Sequence, residues 1–94
     1  MDTIREYVLE GKSGEQYITI PKNSRILSAR KASLLDNINI GVLVDLDTDE
    51  MIETCLLIFA PEDQISDDMK ANFIGVVTLG VESEKQFYVF EKLT

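Results

Sequence analysis

The segment Asn37–Leu46, NINIGVLVDL, decides the fold. Taken two residues at a time, Ile38, Ile40, Val42, Val44 and Leu46 line one face, while Asn39, Gly41, Leu43 and Asp45 line the other. Wound as a helix, the same five apolar residues would scatter around the axis. The segment is therefore expected to be a strand with one face in a core.

The same period of two recurs on both sides of it. Thr3–Leu9 and Glu15–Ile20 read as strands joined by the Gly-containing turn Glu10-Gly11-Lys12-Ser13-Gly14, so a hairpin is expected between them. Pro21 ends the second strand because it cannot donate to a ladder. A third strand is expected over Arg25–Ala32. Ile52–Ala60 is apolar on both faces, with Ile52, Leu56, Ile58 and Ala60 on one and Cys55, Leu57 and Phe59 on the other. Such a strand is covered on both sides, or one side is an interface. Phe73–Val81 and Lys85–Lys92 form a final hairpin, with Phe87, Val89 and Glu91 on one face of its second arm and Tyr88, Phe90 and Lys92 on the other. Between Pro61 and Phe73 the chain is polar and allows at most one short helical turn near residues 66–71, capped by Ser66.

These segments predict an all-β domain spanning residues 1–94. A small antiparallel sandwich or partly open barrel of about seven short strands is expected. With 94 residues, such a domain buries a modest fraction of its surface, and the two-sided strand suggests a homo-oligomer. The opening MDTIREYVLE carries charges at positions 2, 5, 6 and 10 where a signal peptide needs an apolar run, and no apolar stretch is long enough for a membrane span. A cytoplasmic chain is expected, consistent with a single cysteine, Cys55.

The net charge of −8 is concentrated. Residues 32–69 carry ten acidic side chains and no basic one. That field repels phosphate backbones and favours basic partners, so direct nucleic-acid binding is not expected. At its centre lies VDLDTDEMIE, Val44–Glu53. Counted from Asp45 as a calcium loop, the sixth position is Glu50 where glycine is needed, and the twelfth is Leu56 where glutamate is needed. The plain reading is a solvated hairpin connection between strands. The functional one is a partner-binding surface of Asp45, Asp47, Asp49, Glu50 and Glu53, with Leu43 and Met51 as apolar neighbours.

Catalytic equipment is sparse. There is no histidine, hence no residue with the usual general-base pKa, and Cys55 sits in an apolar strand with no base beside it. No enzyme activity, cofactor or metal is expected. Arg25, Arg30 and Lys31, with Lys22, are the one basic cluster. Arg25 and Arg30 fall on opposite faces of an ideal strand and make one patch only if a bulge intervenes. With Tyr7, Tyr17 and Tyr88 available for stacking, Tyr17 first among them, they could hold a small nucleotide.

The order TIREYVL, YITIPKNSRILSA, IGVLVDLD, ETCLLIFAP, FIGVVTLG and FYVFEKL resembles a family of small uncharacterised proteins encoded by tailed phages and prophages. The resemblance covers nearly the whole chain. It rests on the spacing of short apolar steps such as Ile18–Pro21, Leu43–Asp45, Phe73–Gly75 and Val89–Glu91. It implies a phage or prophage accessory protein in the bacterial host cytoplasm, and small size without catalytic equipment points to action by binding. The leading expectation is a host-takeover or anti-defence inhibitor, of the anti-CRISPR or anti-restriction type, masking a basic surface of a bacterial protein. The alternatives are an oligomeric sponge for a nucleotide immune signal, and a virion or assembly component.

Overall fold

Seven strands run along the chain: β1 (Asp2–Glu10), β2 (Gly14–Pro21), β3 (Arg25–Lys31), β4 (Asn37–Asp45), β5 (Met51–Phe59), β6 (Ala71–Leu79) and β7 (Lys85–Lys92). They come from a computed structural model that describes residues 1–32, 36–80 and 82–93. Val81, the expected last residue of the sixth strand, lies outside the described residues. The strands form two antiparallel sheets, ordered β1-β4-β3 and β2-β5-β7-β6, packed face to face as a sandwich and not closed into a barrel.

β4 is the central strand of the smaller sheet, and it buries one face as its alternation predicts. Ile38, Ile40, Val42 and Val44 are each 0% exposed. Burying side chains of this size contributes roughly 1.5–3 kcal/mol each before the entropy of ordering them. Across the sandwich they meet Ile18 and Ile20 from β2, Leu56 and Ile58 from β5, Val77 and Leu79 from β6, and Phe87 and Val89 from β7, in one core cluster. Leu46 departs from the expected pattern at 44% exposed, because the strand ends at Asp45 and the chain turns away.

The expected β6–β7 hairpin forms, with Ala71 opposite Lys92 and Leu79 opposite Lys85. The expected β1–β2 hairpin does not, since the two strands belong to different sheets. A side chain bridges the corner between them. The Gln16 carboxamide accepts the Glu10 N–H and donates to the Glu10 carbonyl, both at 2.8 Å. Those two bonds occupy the backbone groups through which the strands would begin to pair, and the chain turns a corner instead. Leu9 and Ile18, one on each side of the corner, both enter the core.

The acidic stretch is likewise not a hairpin. β4 pairs with β1 and β3, β5 pairs with β2 and β7, and residues 46–50 carry the chain from one sheet to the other. Local bonds shape this crossing: Asp45 Oδ1 accepts the Asp47 N–H at 2.9 Å, and Thr48 Oγ1 accepts the Glu50 N–H at 3.2 Å. Among the described residues there is no helix. At the position allowed for a short one, the Met69 N–H donates to the Ser66 carbonyl at 3.1 Å and closes a single turn.

Two register shifts complete the architecture, one between Ile26 and Ser28 in β3 and one between Phe73 and Gly75 in β6. Both strands are sheet edges, and they approach each other: a Cβ on Gly75 would lie 3.5 Å from the Ala29 carbonyl oxygen. Bulges bend and twist edge strands, which brings these two together along one side of the sandwich.

Candidate functional site

The five acidic residues of the proposed partner surface are not brought together on one face. Asp45 is in register with Asp2 and shares the outer face of the smaller sheet with Leu43, whereas Glu53, opposite Thr19, lies on the outer face of the larger sheet. Asp47, Asp49 and Glu50 occupy the crossing between them. Asp47 is ion-paired with the α-amine of Met1, whose pKa is raised above its ordinary value chiefly by that hydrogen bond. Glu50 is paired with Lys22 at 3.2 Å, and the Lys22 N–H donates to the Glu50 carbonyl at 2.8 Å. Among the described residues Asp49 and Glu53 have no ion-pair partner within 4.0 Å. Exposed pairs of this kind are worth little energetically, but they lower the net charge available to a partner.

The basic cluster meets the condition it needed. The bulge at Leu27 shifts the parity of β3, so Arg25, opposite Leu43, and Arg30, opposite Asn39, share the outer face of the smaller sheet. Lys31 is opposite Ile38 and so points to the other side. Arg30 is held by Glu6, which also accepts from Asn39 Nδ2 at 2.9 Å. Tyr17 lies on the outer face of the larger sheet, opposite Cys55. Within one chain, the tyrosine and the arginines are therefore on opposite sides of the sandwich.

A surface that sequence reasoning only half anticipated covers the outer face of the larger sheet. β5 contributes Met51, Glu53, Cys55, Leu57 and Phe59, and β7 contributes Tyr88, Phe90 and Lys92. The β6 bulge keeps both Phe73, opposite Phe90, and Val76, opposite Tyr88, on this face. Phe90 packs edge-on against Phe59 and Phe73, with ring centroids 5.8 and 5.3 Å away. Phe73 nonetheless remains 56% exposed and Tyr17 55%. The two-sided character of Ile52–Ala60 signalled this face. The contribution of β6 was illegible, because a bulge that reverses parity leaves no mark in the residue pattern.

Leu57, by contrast, is only 7% exposed. The connection from β5 to β6 turns back over this end of the face and encloses an open groove of about 770 Å³, with Leu57, Phe59 and Met69 among its apolar lining and Glu15, Lys70 and Lys92 among its charged lining. The groove is of a size that takes small ligands. Glu15 accepts from the Tyr17 hydroxyl at 2.8 Å and stands 4.0 Å from Lys92 Nζ. The hydrogen bond and charge of Glu15 push the Tyr17 pKa up to about 12. Desolvation first, and then Glu15, raise the Cys55 thiol above its ordinary value, which disfavours the nucleophilic thiolate. Among the described residues no group of three or more His, Cys, Asp or Glu is placed to hold a metal, and no helix is long and apolar enough to cross a membrane.

These features define a two-sheet antiparallel sandwich carrying an aromatic outer face edged by carboxylates. Comparison with protein-family models, curated proteins and solved structures finds no match to the chain.

Proposed function

We propose that this protein acts by binding, and that it masks a basic surface on a bacterial protein through the outer face of its β2-β5-β7-β6 sheet. The observation that carries the reading is the coincidence, on that one face, of exposed aromatic and aliphatic groups with carboxylates. Phe73, Val76, Tyr17 and Met51 are exposed there, and Glu15 and Glu53 lie among them. Apolar groups supply contact energy, while surrounding charge sets register and speeds encounter. Of the acids in the crossing, Asp49 is the one with no local cation within pairing distance among the described residues, and it joins Glu53 as the electrostatic contribution. The resemblance to phage and prophage proteins implies a host setting, and within it the reading is an anti-defence or host-takeover inhibitor of a host protein.

The test is capture of host proteins from a bacterial lysate on the immobilised chain, followed by titration of the recovered partner. Phe73→Ser, and separately Asp49→Ser with Glu53→Ser, are expected to weaken binding on the order of tenfold, the second more at low salt than at high. Asp45→Ser, on the opposite face, is expected to leave it unchanged. A partner that binds all variants equally would remove this face from consideration.

The nucleotide reading retains one supporting observation, the Leu27 bulge that places Arg25 and Arg30 on a common face. It requires a stacking tyrosine from a second copy, since Tyr17 of the same chain faces away. Calorimetry with cyclic and linear nucleotides, on the wild type and on Arg25→Ala with Arg30→Ala, decides it.

A further inference from the structure

A two-sheet sandwich has four edge strands, here β1 and β3 in one sheet and β2 and β6 in the other. An edge presents unpaired backbone groups to any other strand, and proteins guard such edges with bulges, inward-pointing charges, proline or covering elements. β3 and β6 each carry a bulge and lie against each other where Gly75 meets Ala29. β1 is guarded by Arg5, which is in register with buried Val42 and so projects a charge from the core side of the strand. Among the described residues, β2 has none of these devices before its last position. Its register with β5 is unbroken from Gly14 to Pro21, and its core-side residues are Gln16, Ile18 and Ile20. Its one proline, Pro21, stands at the last position.

We propose that β2 pairs antiparallel with β2 of a second copy, joining the two larger sheets into one continuous eight-stranded sheet. β2 is self-complementary in that arrangement. A two-fold axis perpendicular to the sheet keeps each face continuous and pairs residues of like parity. With Tyr17 opposite its own copy, Gln16 falls opposite Ile18 and Glu15 opposite Thr19, so the one charge of the strand never meets its like. The exposed Tyr17 rings become a cross-strand aromatic pair, a favourable partner in an antiparallel ladder. The second copy fits better than a strand of unrelated sequence because this register needs no side chain that β2 lacks. The pairing also sets two copies of the aromatic outer face side by side in one plane. The inference stands independently of the function proposed for that face.

Sedimentation equilibrium of the purified chain over a wide concentration range tests it. The wild type is expected to approach twice the 10.6 kDa chain mass as concentration rises. Tyr17→Lys and Tyr17→Glu each place like charges directly opposite on an exposed position. Each is expected to weaken self-association about tenfold or more while retaining the wild-type thermal midpoint at concentrations low enough for every chain to be monomeric. Mixed in equal amounts, the two variants are expected to restore the dimer, because Lys then faces Glu across the axis. Ile4→Lys, on the outer face of β1, is expected to leave the dimer intact. A wild type that stays monomeric, a Tyr17→Lys chain that dimerises as the wild type does, or a mixture that fails to recover would each overturn the proposal.

Discussion

Replacing Gln16 tests whether one side chain sends β1 and β2 into different sheets. Its carboxamide makes two bonds to the Glu10 backbone, each 2.8 Å long and accessible to solvent. A bond of this type contributes about 0.5–1.5 kcal/mol net, and exposure puts these two at the lower end, about 1–2 kcal/mol together. For a domain of this size each kcal/mol moves the thermal midpoint by about 4–8 °C, so Gln16→Ala is expected to lower it by roughly 4–16 °C. Gln16→Glu is the sharper variant. Its carboxylate can accept from the Glu10 N–H but confronts the Glu10 carbonyl with a second acceptor. At neutral pH the loss is therefore expected to match or exceed that of alanine. On acidification the protonated carboxyl regains a donor and is nearly isosteric with glutamine, so the deficit relative to wild type at the same pH should shrink. Thermal unfolding followed by circular dichroism at neutral and acidic pH measures all three chains. A Gln16→Ala midpoint within about 2 °C of wild type, or a Gln16→Glu deficit that ignores pH, would refute the corner argument.

Two further outcomes follow from the electrostatics. Glu91 is opposite Leu56 on the core side of β7, and burial raises its pKa above the ordinary carboxylate value. Between the unfolded and the raised folded value, the folded state binds more protons, so stability falls as pH rises through that window. Glu91→Gln should then raise the unfolding midpoint at neutral pH, with the gain vanishing in acid; urea titrations at two pH values show it, and equal gains at both would count against burial as the cause. The Tyr17 phenol, held near 12 by Glu15, should return towards its ordinary value of 10.0 in Glu15→Gln. Ultraviolet difference titration of the tyrosines reads this directly, and an unmoved transition would mean that the Glu15 bond is not formed in solution.

Much of the fold was legible in the residues. The alternation of Ile38, Ile40, Val42 and Val44 is a local property: a period of two puts one apolar face on a strand, whatever lies opposite it. All seven strands, the stop at Pro21 and the final hairpin follow from such local rules. Their pairing partners do not. The turn chemistry of Glu10–Gly14 pointed to a hairpin, and a side chain two residues beyond it, Gln16, took the backbone groups that a hairpin would have used. VDLDTDEMIE likewise reads as a tight connection, yet it crosses between sheets.

Composition determined this protein's surplus of negative charge and its lack of histidine, because those quantities depend on counting alone. Spacing determined where strands lie. Tertiary structure alone decided which side chains share a face, since one extra residue in a strand reverses the parity of everything after it. The bulge at Leu27 gathered Arg25 and Arg30, and the one at Ile74 kept Phe73 and Val76 on the same face as Phe90. Asp45 and Glu53, eight residues apart in an acidic run, ended on opposite sides of the molecule because the chain between them changes sheets.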